Sequence, residues 1–174
     1  MVSESTSQAR WRRESTEPAP SSGQPPEGNM PTSNSPTTPS TTLPLRATPA
    51  QVWPVMSAIE RWPEWTPTVT RVEPLGDGPF RFGSRFRLHQ PKLAPAVWEV
   101  IRLEEGRGFS WVTKHPGVRV TGEHWIEPTP DGCRVTLALR FEGFLAPLVA
   151  RIYRSLNQRY LAQEAEGLRA RCEG

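Results

Sequence analysis

Cysteine, histidine and long hydrophobic runs are scarce in this sequence. Its 174 residues include two cysteines and three histidines, with no Cys-x-x-Cys pair and no Cys and His spacing typical of a metal site. No run approaches the ~20 apolar residues that a transmembrane helix requires. We therefore expect no metal and no integral membrane segment. Cys133 and Cys172 are expected to be unpaired thiols, unless the last helix folds back along the preceding strand and brings them together.

Motifs of the common catalytic sites are missing as well. The sequence has no Gly-x-Ser-x-Gly nucleophile elbow, no Gly-x-Gly-x-x-Gly loop and no Walker loop. The carboxylates show no recognisable pairing, and no cofactor is expected. The absence of a motif neither excludes nor supports enzymatic activity, so the sequence leaves this question open.

A strong excess of one charge is also absent. Lys and Arg number 21 against 18 Asp and Glu, and the signs are interleaved, as in residues 102–107. A nucleic-acid partner would need basic residues clustered on one face, so we expect none. Residues 10–13 (Arg-Trp-Arg-Arg) are followed by polar residues 14–18 and not by an apolar segment. This pattern predicts no signal peptide and a cytoplasmic protein.

Residues 1–42 are rich in Pro, Ser and Thr and predict a disordered tail. Such a stretch cannot bury enough apolar surface to offset the entropy of ordering it. The tail could be a linker or an anchor, or Met30 could be a nearer start of the protein. Residues 43–174 hold nearly all the large apolar side chains and predict a single domain.

Within that domain, alternating apolar residues and turn residues predict an antiparallel sheet. A short strand at 43–48 precedes a helix that begins at Thr48 and Pro49, and a broken helix at 61–67 follows. Gly- and Pro-containing turns then separate further predicted strands at 69–75, 81–90, 96–104, 108–114, 118–128 and 133–142. The short connections leave no room for crossover helices, and the alternation places apolar residues on one face only.

The C-terminal segment predicts the helix that covers this face. Residues 145–171 contain one internal glycine, Gly167, and a helix of that length extends for ~39 Å. Its apolar side chains form one broad stripe: Leu145, Leu148, Val149, Ile152, Leu156, Tyr160 and Leu161.

This order of elements resembles the helix-grip fold of the START/Bet v 1-like superfamily, and more narrowly the polyketide cyclase/dehydrase-like SRPBCC proteins. The residues that carry the resemblance lie at 50–53, 59–65, 83–86, 98–100, 106–111, 124–128, 131–136 and 141–143. The resemblance covers residues 43–172 and implies an α+β fold, in which a curved antiparallel sheet wraps around a long C-terminal helix. It also implies an apolar cavity for a lipid, a polyketide or another small hydrophobic ligand.

His124 is the most suggestive candidate for a catalytic residue. It lies in the middle of a predicted strand, in the same alternation phase as Gly122 and Ile126, whereas Glu123 is expected to face solvent. An imidazole in an apolar cavity could act as an acid, a base or a hydrogen-bond donor near neutral pH. The alternative is a structural histidine bonded to a neighbour. His89 and His115 receive no role.

The other candidate site residues are apolar or aromatic. The predicted ligand-binding set is Phe86, Leu88, Trp98, Val100, Phe109, Trp111, His124, Ile152, Leu156 and Tyr160. Plain core packing is the competing interpretation for each of them. Tyr160 could direct its hydroxyl into the cavity or toward water. Trp62 and Trp65 could gate the cavity or close one end of the sheet.

Three functions are compatible with these residues. The first is binding of a small hydrophobic molecule in a cavity between sheet and helix. The second is an enzyme of the polyketide cyclase/dehydrase type, with His124 as acid or base. The third is a scaffold whose core is filled by its own side chains. The ligand and the oligomeric state are left open.

Overall fold

The computed structural model describes residues 38–174, so most of the predicted tail lies outside the described residues. The first strand, β1 (Ser40–Leu45), begins at Ser40 and not at the expected Leu43. Leu43 and Leu45 pair with Val135 and Cys133 of the last strand, and both leucines are buried. Backbone pairing with an edge of the sheet therefore orders polar residues that composition alone assigned to the tail.

Seven antiparallel strands form one sheet, which confirms the predicted fold class. After β1 the order of elements is α1 (Pro49–Ser57), a 3₁₀ helix (Ile59–Glu64), β2 (Arg71–Pro74), β3 (Arg85–His89), β4 (Ala96–Glu104), β5 (Gly108–His115), β6 (Val118–Thr129), β7 (Gly132–Glu142), α2 (Ala146–Ile152) and α3 (Arg154–Glu173). The strands from β2 to β7 pair in chain order, and β1 is added beside β7. β3 is shorter than predicted, because the chain turns before Arg85 and leaves Phe82 exposed.

The start of α1 follows from its local sequence. Pro49 occupies the first turn, where a missing N–H is tolerated, and the backbone N–H of Thr48 donates to Oε1 of Gln51 at 2.9 Å. Val52 and Met56 then fall on the buried side of the helix. The indole Nε1–H of Trp62 donates to the carbonyl of Met56 at 3.1 Å, which fixes the 3₁₀ helix against α1.

The sequence predicted one continuous C-terminal helix. In the structure this helix is divided at Tyr153. Tyr153 has φ −94° and ψ 7°, and Val149 and Asn157, four residues before and after it, both line the inner side. α2 packs against Val118 and Phe141 through Ala146 and Val149. The prediction that Ile152 faces the sheet is therefore wrong, because its side chain lies on the outer side of α2 and is 62% exposed.

Along α3 the buried side chains are Asn157, Leu161, Ala165 and Leu168. Asn157 and Ala165 are the polar and small members of this inner stripe, which hydropathy does not reveal, and Leu168 extends the stripe toward the C-terminus. Leu156 lies beside this stripe and is only partly buried. Near the end of α3, Gly167 allows close packing, since a Cβ there would lie 2.2 Å from the carbonyl oxygen of Trp65.

The interior differs between the two ends of the sheet. At the end that we call the closed end, side chains of α1, the 3₁₀ helix and the second half of α3 form one packed core around Met56, Ile59 and Leu168. At the other, the open end, α2 covers a much smaller cluster of Val118, Phe141 and Ala146. Within residues 38–174, no helix is long and apolar enough to span a membrane.

Candidate functional site

A cavity of about 390 Å³ lies between the inner face of the sheet and the helices α2 and α3. Most of its wall is apolar, and strands β3 to β7 and both helices contribute to it. Its outer rim comprises Ala94 in the β3–β4 turn, His115 at the end of β5 and Tyr153 at the helix break, all of them exposed. A volume of this size lies within the range of small-molecule sites in proteins.

Indole rings form the inner wall of the cavity. The ring centroid of Trp111 lies 5.2 Å from that of Trp98 and 5.2 Å from that of Trp62. Gly122 on β6 makes room for this cluster, because a Cβ there would lie 2.4 Å from the indole nitrogen of Trp111. The cavity therefore has flat, polarisable surfaces, which suit a planar or polycyclic ligand.

Trp62 closes the cavity on the side of the 3₁₀ helix. Its side chain is 1% exposed, and Trp65 packs against it with ring centroids 5.5 Å apart. Because the Trp62 indole is also hydrogen-bonded to α1, it belongs to the packed core of the closed end. This position corresponds to a plug at one end of the sheet.

His124 lies on the inner face of β6 and lines the cavity. Its ring stacks on Phe109 with centroids 4.6 Å apart and planes inclined by 9°, and Trp111 meets it edge-on. Its Nε2 lies 2.9 Å from Oε1 of Glu164 on α3. This hydrogen bond joins the sheet to the terminal helix across a mainly apolar interface.

Glu164 is a charged residue of the cavity wall that sequence reasoning missed. It lies one helical turn beyond Tyr160 and is part of the inner face of α3, with its side chain 13% exposed. A charged residue among the buried positions of an amphipathic helix is rare unless it has a partner. That irregularity was the available signal, but only the fold places Glu164 opposite His124.

The carboxylate of Glu164 determines which ring nitrogen of His124 is available for chemistry. A carboxylate accepts a hydrogen bond, so Nε2 is the nitrogen that donates and Nδ1 is the one left to accept or exchange a proton. Nδ1 is buried and has no hydrogen-bond partner among residues 38–174. The arrangement is that of a carboxylate-oriented imidazole, the pair used in general acid–base sites.

Other polar groups in the cavity wall also lack partners. The amide nitrogen of Asn157 and the indole nitrogen of Trp98 are buried without a hydrogen bond within the described range. Both residues line the cavity, and both groups are donors. Thr113 is buried on the same wall, and its Oγ1 lies 3.3 Å from Nε2 of His115. His115, to which the sequence assigned no role, therefore stands at the rim of the cavity.

Tyr160 connects α3 to the β3–β4 turn. Its hydroxyl donates a hydrogen bond to the carbonyl oxygen of Pro91, while its ring lines the cavity. Burial raises the pKa of this hydroxyl. The hydroxyl is thus held by the turn instead of pointing toward the cavity or the solvent, and it helps to keep that turn at the rim.

The predicted ligand-binding residues separate into a group that lines the cavity and a group that does not. Leu88, Trp98, Trp111, His124 and Tyr160 line it. Phe86, Val100 and Phe109 belong instead to the packed core. Phe109 supports His124 from behind, Phe86 contacts Phe80 with ring centroids 6.2 Å apart, and Val100 is fully buried. Ile152, which is exposed, and Leu156, which lies beside the inner stripe, do not line the cavity either.

Two further residues differ from simple expectation. Glu123 was expected to face solvent, but it is 6% exposed and forms an ion pair with Arg140. Cys133 and Cys172 are both free thiols. Burial raises the pKa of Cys172 to about 11, which disfavours the reactive thiolate. Neither cysteine lines the cavity.

Residues 37–173 match the family of polyketide cyclases/dehydrases and lipid transport proteins. The chain belongs to this family. A search of the curated proteins finds no match.

Solved structures with the same fold share little sequence with the chain. The Zhui aromatase/cyclase from Streptomyces sp. R1128 is 18% identical, with TM-score 0.64, over 78% of this chain and 93% of that one. A START superfamily protein from Mycobacterium smegmatis is 21% identical, with TM-score 0.61, over 78% and 97%. The di-domain aromatase/cyclase StfQ of the steffimycin biosynthetic pathway is 14% identical, with TM-score 0.63, over 79% of this chain and 50% of that one. The chain thus spans half of StfQ, and these similarities establish the fold alone.

Proposed function

We propose that the protein binds a small, largely apolar molecule with planar rings and at least one oxygen acceptor. The observation that carries this proposal is a cavity of about 390 Å³ with an indole-lined wall. The donors on Asn157 and Trp98 have no partner among residues 38–174 and, like Nδ1 of His124, are buried, so their side chains must turn before they pair with the acceptor. An apolar ligand without such an acceptor would leave these donors unpaired, at a cost of about 1–3 kcal/mol for each.

The cavity also favours ligand binding over a scaffold with a filled core. Protein interiors pack as densely as organic crystals, so a large apolar void is normally eliminated by side-chain packing. Here the aromatic side chains pack against each other in one wall and leave the space beside them open. Polyketides and related polycyclic compounds combine flat rings with carbonyl and hydroxyl oxygens, and they match this lining.

The binding proposal can be tested by filling the cavity. Native mass spectrometry and solvent extraction of the purified full chain should reveal a co-purifying compound. Ala96 lines the cavity, and Ala96→Trp should displace that compound. Ala162 is exposed on α3, so Ala162→Trp is the matched control and should retain it. If the two variants retain the compound equally, the compound binds outside this cavity, and the proposal is contradicted.

A second candidate function is proton transfer by the His124–Glu164 pair. In a dehydration, Nδ1 of His124 would take a proton from the carbon beside a hydroxyl-bearing carbon. A carbon–carbon double bond then forms, and the hydroxyl leaves with that proton as water. Glu164, 2.9 Å from Nε2, would orient the ring and stabilise the imidazolium. We rank this function second because Nδ1 is buried, so the ring must move before it can reach a substrate.

The test of this second function separates chemistry from binding. The full chain would be incubated with a β-hydroxy polyketide thioester analogue, and water loss followed by the absorbance of the conjugated product. His124→Ala should abolish the reaction, and Glu164→Gln should lower kcat more than it changes KM. Circular dichroism would verify that both variants are folded. A folded His124→Ala variant with full turnover would exclude this role.

A further inference from the structure

An exposed apolar surface lies beside the rim of the cavity. Phe144, Leu148 and Ile152 are 83%, 56% and 62% exposed. Leu148 and Ile152 are four residues apart and share one side of α2, and Phe144 lies in the turn that leads into this helix. Single exposed apolar residues are common, but a contiguous row of large ones usually marks a contact site. We call Phe144, Leu148 and Ile152 the α2 ridge.

The charged residues of α2 and of the first half of α3 have one sign, and the acidic residue nearest to the α2 ridge in sequence, Glu142, is paired with Arg119. Residues 143–160 contain Arg151, Arg154 and Arg159 and no acidic residue. Arg151 and Arg154 are exposed, and neither forms an ion pair within residues 38–174. A short amphipathic helix with large apolar side chains and unpaired arginines is typical of segments that lie in the interface of an anionic membrane.

The ridge is held rigidly in the protein. A Cβ on Gly117 in the β5–β6 turn would lie 2.7 Å from both Phe144 and Leu145, so the chain entering α2 packs directly on that turn. On the opposite side of α2, Val149 lines the cavity, and Tyr153 stands on its rim. The ridge therefore presents its apolar side chains outward, next to the cavity entrance.

We propose that the α2 ridge docks this protein on an anionic lipid bilayer. Phe144, Leu148 and Ile152 enter the boundary between headgroups and acyl chains, and Arg151 and Arg154 contact lipid phosphates. Docking there brings the rim of the cavity to the membrane surface, where apolar molecules partition. The docking surface does not depend on the identity of the ligand, so it can fail or hold independently of the proposed binding function.

A second copy of the chain is a poorer occupant of this surface. Face-to-face association of two ridges would bring Arg151 and Arg154 of both copies together without acidic partners, and like charges in contact oppose association. A lipid bilayer with anionic headgroups supplies both the apolar layer and the negative charge that the ridge lacks.

Co-sedimentation of the full chain with vesicles tests the proposal. Binding should be strong to phosphatidylcholine vesicles in which phosphatidylglycerol replaces about a third of the lipid, weak to phosphatidylcholine alone, and reduced at about 0.5 M salt. Phe144→Ser combined with Leu148→Ser should lower partitioning about tenfold or more. Phe82, 67% exposed in the β2–β3 connection, offers the matched control, and Phe82→Ser should bind like the unmodified chain.

The arginines are tested in the same way. Arg151→Gln and Arg154→Gln should each weaken partitioning about fivefold, whereas Arg85→Gln, on the exposed side of β3, should have no effect. Failure of the unmodified chain to bind anionic vesicles would overturn the proposal. So would equal loss in the ridge and control variants, or a dimer that Phe144→Ser combined with Leu148→Ser converts into a monomer.

Discussion

The two ends of the sheet use the same kinds of residue for opposite purposes. At the closed end, Met56, Ile59 and Trp62 pack against the second half of α3 and leave almost no exposed surface. At the open end, the first half of α3 and α2 stand over a cavity of about 390 Å³. One helix therefore contributes to folding at one end and to a site at the other. We therefore expect the stability of this protein to be concentrated away from its cavity.

The largest effect is expected from a leucine of the closed end. Leu168 is 1% exposed in the packed core, and Leu168→Ala should lower the free energy of unfolding by about 3–4 kcal/mol. Leu148, which is 56% exposed at the open end, provides the matched substitution. Leu148→Ala should change the free energy of unfolding by less than about 0.5 kcal/mol. Urea denaturation measures both values. Similar losses at the two positions would contradict the proposed division of stability.

The next effect concerns the hydrogen bond that joins His124 on the sheet to Glu164 on α3. His124→Ala leaves Glu164 nearly buried without its partner and should lower the free energy of unfolding by about 2–3 kcal/mol. Glu164→Gln retains an acceptor for Nε2–H and should reduce it by only about 1 kcal/mol. Denaturation at neutral pH compares the two variants. An equal loss would indicate that the charge of Glu164, and not its hydrogen bond, stabilises the contact.

Some features of this fold could be predicted from the sequence, and others could not. The bounds of β4 were predicted without error, because alternation and turn residues are local signals. The break at Tyr153 was not predicted, since the apolar stripe continues through it and no glycine or proline marks the position. The partnership of Glu164 with His124 joins positions 40 residues apart, and no local pattern encodes it.

A smaller effect is expected where the cavity wall is tightest. Gly122→Ala places a methyl group 2.4 Å from the indole nitrogen of Trp111, so the ring must shift toward the cavity. The free energy of unfolding should fall by about 1–2 kcal/mol. In the same variant, an apolar fluorescent probe such as anilinonaphthalene sulfonate should bind more weakly. Gly76 has open space around it, and Gly76→Ala should leave both quantities unchanged.

The last prediction concerns thiol chemistry at the closed end and no change in stability. Because burial raises the pKa of Cys172 to about 11, the thiolate fraction near pH 8 is low, and it increases as the pH approaches that value. Alkylation of the folded chain with iodoacetamide near pH 8 should be roughly a hundredfold slower than in urea. Peptide mass spectrometry follows the modification of Cys172. Rapid labelling of the folded chain would show that the closed end opens readily.

The most direct test of a hollow open end is X-ray diffraction from a crystal of the full chain pressurised with xenon. Xenon occupies apolar cavities in proteins without requiring polar contacts. The structure predicts a xenon site between Trp111 and Leu139, inside the cavity wall, and none among the packed side chains around Ile59 and Leu168. An interior without xenon, in which side chains of α2 and α3 fill the space beside Trp111, would contradict the account.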